Sequence, residues 1–257
     1  MILDSFRLDG RAALVTGGNR GLGQACAIAL AEAGADIALL GRTDPSETAD
    51  RISASGRRAV YVPCDLAKAD PERLASAVDT VTDQLGGLDI LVNNAGIIRR
   101  APAAEVTAED WHEVITVNLD AVFRLSQAAG RRMLTRGGGR GGRIVNLASM
   151  LSFQGGIRVP AYTAAKHAVL GLTRALANEW AGLGVNVNAI APGYMATDNT
   201  AALREDPARA PAILERIPAG RWGTPDDLKG AAVFLASDAA RYVHGAVLPV
   251  DGGWLAR

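Results

Sequence analysis

Tyr162 and Lys166 stand four residues apart in the run Tyr162-Thr163-Ala164-Ala165-Lys166, and Ser149 lies upstream at the end of an apolar stretch. Pro160 interrupts the incoming chain and residues 161–181 are rich in helix formers, so the phenol and the ammonium are predicted on one face of a helix. Ser149 follows the apolar run Ile144 to Leu147 and so falls at the carboxyl end of a predicted strand, where open parallel sheets bind ligands. A phenol has a reference pKa near ~10, poorly matched to proton transfer at neutral pH. An ammonium one helical turn away favours the phenolate and is expected to lower that value. The pair could therefore serve as an acid/base at a ketone oxygen that receives hydride, while the serine hydroxyl hydrogen-bonds the same oxygen as charge develops. Y-x-x-x-K is common by chance as a helix surface pair, so the chemistry depends on elements that bring these residues to a hydride source.

The stretch Ala12 to Gly23 supplies one such element. Ala13, Leu14 and Val15 form a short apolar run of the kind found in a strand buried on both faces, and it stops at glycines spaced Gly17, Gly21, Gly23. Such a turn lets main-chain N–H groups approach a ligand, and the helix that follows offers its positive end to a pyrophosphate. A second apolar strand, Ala35 to Leu40, completes a βαβ unit with parallel strands and a right-handed crossover. Its tip faces the adenine ribose, where an acid accepts from the 2′-hydroxyl and a basic group holds a 2′-phosphate. The chain has Gly41-Arg42-Thr43 there, and Asp44 beside Pro45 reads as a turn starter. Arg42, with Arg20 from the glycine turn, leans towards NADP; two solvated surface arginines are the alternative.

Further along, a polar helix near Ser46 to Ser55, a strand at Ala59 to Val62 and a helix over Pro71 to Leu85 precede the strand Leu88 to Val92, which ends in Asn93-Asn94-Ala95-Gly96. A side-chain amide there can tie neighbouring strands together, and Ala95 and Gly96 leave room for a ring against backbone. Thr107 to Asp110 has the form of a capping box, with Asp in place of Glu, and starts a helix carrying Val117-Asn118-Leu119. Asn118 interrupts an apolar face and must find partners or cost about 1–3 kcal/mol. The tract Arg136 to Arg143 is glycine- and arginine-rich but short and without aromatics, so it reads as a flexible loop and not as an RNA-binding segment.

Twenty-seven basic and 27 acidic residues balance over 257 positions, giving no summed field to attract nucleic acid or an anionic membrane. Cys26 and Cys64 are the two cysteines, which suits a reduced cytoplasmic protein better than a disulfide scaffold, and no metal-ligand spacing is present. No apolar run approaches the ~18 residues of a membrane span.

Taken together, Thr16-Gly-x-x-x-Gly-x-Gly, Asp65, Asn93-Asn94-Ala95-Gly96, Asn118, Ser149, Tyr162/Lys166 and Pro192-Gly193 resemble, in order and spacing, the short-chain dehydrogenase/reductase superfamily across essentially the whole chain. The resemblance implies an α/β fold: one domain over residues 1–257, a Rossmann-like doubly wound parallel sheet of about seven strands with helices on both faces. It implies an NAD(P)-dependent oxidoreductase with Tyr162 as acid/base, assisted by Lys166 and Ser149, with Asn118 in a relay that holds a water between Lys166 and solvent. The cofactor would be held by Gly17, Asn19, Arg20, Gly21, Leu22, Gly23, Arg42, Asp65, Leu66, Asn94, Ala95, Gly96, Tyr162, Lys166, Pro192, Gly193 and Thr197. Asp65 would accept from the adenine amino group; a cap for the following helix is its other reading.

Several segments, among them Ile97-Ile98-Arg99-Arg100, Met150 to Pro160 and Val250 to Arg257, look more narrowly like the deoxygluconate dehydrogenases of pectin and uronate breakdown. This implies an acidic deoxy-sugar as substrate, bound by Ser149, Gln154, Arg158, Tyr162 and Arg99. Arginines in loops on the ligand side can clamp a carboxylate through two hydrogen bonds; tying the loop to the protein or to a neighbouring subunit is the other reading for Arg158. The subfamily is associated with NAD while Arg42 leans to NADP, so the cofactor is NADP or NAD. Residues 197–216 read as a helical lid over the substrate. The final strand and the apolar Trp254 tail imply a homotetramer. A dehydrogenase for another polyol or ketone, and a non-catalytic dinucleotide-binding module, are the competing functions.

Overall fold

The computed structural model describes residues 1–135 and 141–257. Residues 136–140 of the glycine- and arginine-rich tract lie outside the described residues. The chain opens with β1 (Ala12–Thr16), α1 (Gly21–Glu32), β2 (Asp36–Gly41), α2 (Ser46–Ala54), β3 (Ala59–Pro63), α3 (Pro71–Leu85) and β4 (Ile90–Asn93). It continues through α4 (Ala108–Ile115), α5 (Ala121–Thr135), β5 (Gly142–Leu147), α6 (Pro160–Trp180), β6 (Val185–Pro192), α7 (Ala201–Glu205), α8 (Arg209–Arg216), α9 (Lys229–Ala236) and β7 (Val247–Val250).

All seven strands pair in parallel, in the order β3-β2-β1-β4-β5-β6-β7. The order reverses direction at β1 and β4, and such a switch point opens a crevice at the carboxyl ends of the strands. The register fixes which residues meet there: Thr16 faces Leu40, Val15 faces Val92, Asn93 faces Asn146 and Leu147 faces Ile190.

Alternation along the strands sends side chains into two cores. Leu14, Leu40, Leu91 and Ile144 pack with α3, α5 and α6. Ala13, Val15, Leu39, Val92 and Val145 pack with α1, α2 and α9. Because both faces are covered, the central strands read as continuous apolar runs and not as alternating ones. Buried amides then cross-link the layers: Asn93 Nδ2 donates to Ser126 Oγ on α5 at 3.0 Å and to Asn146 Oδ1 on β5 at 2.9 Å, and Asn146 Nδ2 donates to Thr173 Oγ1 on α6 at 3.0 Å. These bonds fix β4 and β5 against the helix that carries Tyr162.

Between α4 and α5 the helix widens to a π-helical turn at Thr116–Asp120, with Asn118 on it. The spacing of apolar residues gives no sign of this turn. Its effect is to direct the Asn118 amide at the chain leaving β4, where Oδ1 accepts from the Ile97 N–H at 2.9 Å and Nδ2 donates to the Ile97 carbonyl at 2.8 Å. Ile97 is thus the partner that the buried amide requires.

Candidate active site

The carboxyl ends of β1, β2, β4, β5 and β6 border one cleft of about 320 Å³. Gly17, Asn19, Arg20, Gly21, Leu22 and Gly23 line its floor, Arg42, Asp65 and Leu66 one end, Asn94, Ala95 and Gly96 the middle, and Ser149, Tyr162 and Lys166 the other end. Pro192, Gly193 and Thr197 close the side nearest β6. Each position assigned to the cofactor from sequence lies on this wall.

The floor follows from the glycines. Gly17 has φ +65, a left-handed conformation that side-chain-bearing residues rarely adopt. A Cβ on Gly23 would stand 2.3 Å from the Gly17 carbonyl oxygen and 2.3 Å from Asn94 Nδ2, so α1 can approach β1 this closely only with hydrogen at that position. The cap residue of α1, Arg20, makes no side-chain bond to the helix end, which leaves first-turn N–H donors directed at the cleft. Thr16 fastens the opposite wall: its hydroxyl accepts from the Asn94 N–H at 3.0 Å and the Ala95 N–H at 2.9 Å, while Asn94 Nδ2 returns a bond to the Thr16 carbonyl at 2.9 Å. A glycine-floored turn, unclaimed helix-end donors and a basic side chain at the β2 tip together fit a phosphorylated dinucleotide.

At the far end, α6 places Tyr162 and Lys166 on one face, the ammonium 5.6 Å from the centre of the phenol ring. Lys166 is buried and donates through Nζ to the Leu147 carbonyl at 2.5 Å, tying α6 to the tip of β5. Ser149 Oγ accepts from the Leu151 N–H at 3.1 Å, and the Ser149 N–H donates to Ser152 Oγ at 3.2 Å, so the serine is held rigidly beside the tyrosine. Burial pushes the Lys166 ammonium down to about 8 from 10.5. Burial also holds the Tyr162 phenol above its ordinary value of 10, against the opposing pull of the Ser149 hydroxyl and of the Arg100 charge. This differs from the expectation that Lys166 lowers the phenol: burial is the largest influence on it, and the groups that pull it down are Ser149 and Arg100. A phenol that keeps its proton at neutral pH is a donor, which suits the direction of ketone reduction.

Four assigned residues do not reach the cleft wall. Asn118 sits behind it with its amide bonded to Ile97. Arg99 pairs with α4, where Glu113 Oε2, on a residue of the cleft wall, lies 2.6 Å from Nη2 and Asp110 Oδ1 lies 3.4 Å from Nε. Two carboxylates satisfy it, and it is its neighbour Arg100 whose charge reaches Tyr162. Gln154 Oε1 accepts from the Trp254 indole N–H at 2.9 Å. Arg158 is exposed, with φ +65, and its carbonyl accepts from the Ala101 N–H at 3.0 Å, joining the loops after β4 and β5.

Two further expectations change, and Arg20 has a partner within the chain. Asp65 does not cap α3: it accepts from the Ala67 N–H at 3.1 Å, and Asp70 caps the helix by accepting from the Arg73 N–H at 2.7 Å. Arg20 is paired with Asp198 at 2.8 Å. The Trp254 tail is covered by its own chain, Trp254 being buried against Tyr194 and Arg216, so it is not an apolar surface that demands a partner. Sequence reasoning missed Thr16 as the fastener of the Asn94 loop; its signal is a lone hydroxyl ending an apolar strand. Among the described residues no group of three or more His, Cys, Asp or Glu could hold a metal ion, and no helix is long and apolar enough to cross a membrane.

A family model described as enoyl-(acyl carrier protein) reductase matches residues 17–255. The 2-dehydro-3-deoxy-D-gluconate 5-dehydrogenase of Dickeya dadantii is 54% identical over 257 residues, covering 100% of both chains. Among solved structures, a candidate 2-deoxy-D-gluconate 3-dehydrogenase from Agrobacterium tumefaciens with bound NADP is 59% identical, with a TM-score of 0.91 over 98% of this chain and 99% of that one. A candidate NAD(P)-dependent gluconate 5-dehydrogenase from Beutenbergia cavernae, with NADP at low occupancy, is 58% identical, with a TM-score of 0.93 over 98% of this chain and 100% of that one.

Proposed function

The chain belongs to the short-chain dehydrogenase/reductase family of dinucleotide-dependent oxidoreductases, and from that premise we propose that it interconverts a hydroxyl and a ketone on an acidic deoxy-sugar of the 2-dehydro-3-deoxy-D-gluconate type. The observation that carries this reading is the meeting of Tyr162, Ser149 and Lys166 on the cleft wall, with the Arg100 charge reaching the phenol from the loop after β4. The names of the relatives support the substrate class, and Arg100 supports an anionic one.

A nicotinamide dinucleotide supplies hydride when bound; Gly17 to Gly23 and Arg42 would hold its phosphates. The Tyr162 hydroxyl gives its proton to the substrate oxygen during reduction and takes it back during oxidation. Lys166 holds a positive charge beneath the phenol and stabilises the phenolate that this transfer leaves. Ser149 donates a hydrogen bond to the same oxygen as charge grows on it, worth about 2–4 kcal/mol if it acts as an oxyanion donor. Asn118 serves as a positioning residue that holds Ile97, and Arg158 stands in the loop beside the substrate end. Arg42 supports NADP over NAD. Residues 197–216, built of α7 and α8, form the lid in this reading, and assembly into a homotetramer belongs to the same proposal.

The test follows NADPH and NADH oxidation at 340 nm with uronate-derived keto acids beside neutral ketones, for wild type and Tyr162→Phe. Turnover of the acidic ketones that the phenylalanine variant lowers by about 10²-fold or more is expected. Turnover of neutral ketones alone would refute the substrate class, and full activity of Tyr162→Phe would refute the assigned acid.

A further inference from the structure

Among the described residues, three carboxylates stand on the wall of the cleft: Asp65, Glu113 and Asp198. The dinucleotide that this family binds there is an anion, and each carboxylate on the wall repels it. A cleft between low-dielectric walls focuses that field on whatever enters. Asp198 is answered by Arg20, which is itself on the wall, at 2.8 Å. Glu113 is answered by a cation that stands outside the wall.

That cation is Arg99. Two of its N–H groups converge on one oxygen of Glu113, Oε2, at 2.9 Å from Nε and 2.6 Å from Nη2. Asp110, also outside the wall, lies 3.4 Å from Nε. The neighbouring Arg100 takes a different partner, donating through Nη2 to the Asn199 carbonyl at 2.9 Å. With side chains 48% and 29% exposed, the Arg99–Glu113 pair adds little to the stability of the fold. What it changes is the charge that an anion meets in the cleft. A guanidinium keeps its proton at any working pH, so this cancellation does not titrate away.

We infer that Arg99 is a positioning residue that acts through Glu113, cancelling the charge of a wall carboxylate so that the cleft admits anionic ligands, without touching them itself. The cofactor half of this inference stands on the family alone; the substrate half rests on the acidic-sugar reading above.

The experiment is a double-mutant cycle of Arg99→Ala and Glu113→Gln in the full chain. It is read as the Kd of NADPH by fluorescence titration and as KM for an acidic and a neutral ketone. Arg99→Ala is expected to raise the NADPH Kd or the acidic-ketone KM by roughly two- to fivefold at low salt, with the neutral-ketone KM unchanged. The increase should fade towards about 0.5 M salt, where screening is strong. In the Glu113→Gln background the same substitution should add nothing. Arg99→Lys, which keeps the charge and loses the fork, should stay within about twofold of wild type. Asp110→Asn, a carboxylate off the wall, should change neither ligand.

An equal penalty for Arg99→Ala in both backgrounds would overturn the inference, since an arginine that bound the ligand directly, or only shaped its loop, would be missed with or without Glu113. A penalty that ignores salt, or that falls equally on the neutral ketone, overturns it as well. So do unchanged values for both anions. If wild type turns over no acidic ketone, the substrate reading fails, and the NADPH titration with its salt dependence alone decides the role of Arg99.

Discussion

Arg20 and Asp198 face each other across the mouth of the cleft, with Arg20 Nη1 2.8 Å from the Asp198 carboxylate, one from the glycine turn and the other from the segment after β6. With the side chains 71% and 72% exposed, the pair contributes little stability and opens at little cost. It also occupies an arginine that a cofactor phosphate would use. Asp198→Asn is expected to leave the melting temperature within about 2 °C and to tighten NADPH by roughly two- to fivefold, with NADH affinity unchanged, the effect of freeing one surface charge. Fluorescence titration with both cofactors decides it; weaker NADPH binding in the variant would show that the pair serves cofactor retention instead.

Arg42 occupies the β2 tip on the cleft wall, at the same end as Asp65. Replacing it with aspartate removes a charge-assisted partner of a 2′-phosphate and adds repulsion. Arg42→Asp should weaken NADPH by about 30-fold or more while NADH changes less than about threefold. Steady-state KM values for the two cofactors measured side by side give the ratio, and parallel changes in both would remove Arg42 from phosphate recognition.

The approach of α1 to β1 leaves no room at Gly23. A methyl there would stand 2.3 Å from the Gly17 carbonyl, which is backbone and cannot swing aside. Gly23→Ala is expected to cost about 1–3 kcal/mol of stability and to weaken both cofactors together, because the turn itself shifts. Chemical denaturation and cofactor titration report the two effects, and wild-type values in both would mean that the close contact relaxes freely.

Lys166, pushed down to about 8, is charged below that pH and neutral above it. Tyr162 is held above 10 and so keeps its proton across the same range. The reductive direction needs both protons, and kcat/KM reports the groups of the free enzyme. Reductive kcat/KM should therefore stay level up to pH 8 and fall about tenfold per pH unit beyond it. A fall that begins only near the ordinary lysine value of 10.5 would show that burial does not govern this group.

The sequence displays the sheet, the glycine turn and the Tyr162/Lys166 face because each is coded over a few neighbouring residues: apolar runs for strands buried on both sides, an i, i+4 spacing for the helix, glycines where backbone approaches backbone. What stayed hidden depends on residues far apart in the chain. Arg99 is held by Glu113 because α4 passes beside it. The direction of the Tyr162 shift depends on how deeply the assembled cleft buries the ring, which no spacing of Tyr and Lys can state. The π-helical turn that aims Asn118 at Ile97 adds one residue to a helical turn without changing the apolar pattern. Gln154 looks like a substrate residue in the primary chain, yet one end of its amide is claimed by an indole 100 positions later.

The placement of β1 between β2 and β4 has a bearing on how the polypeptide emerges from the ribosome. Its first neighbour arrives with the next helix, but its second must wait until α2, β3 and α3 have been translated, and synthesis proceeds at about 5–20 residues per second. For that interval the nascent Ala12–Thr16 segment presents an open edge that is apolar from Ala12 to Val15, the kind of surface that recruits foreign strands and holdase chaperones. Yield in a heterologous host should accordingly be limited by capture of this intermediate more than by the equilibrium stability of the finished enzyme.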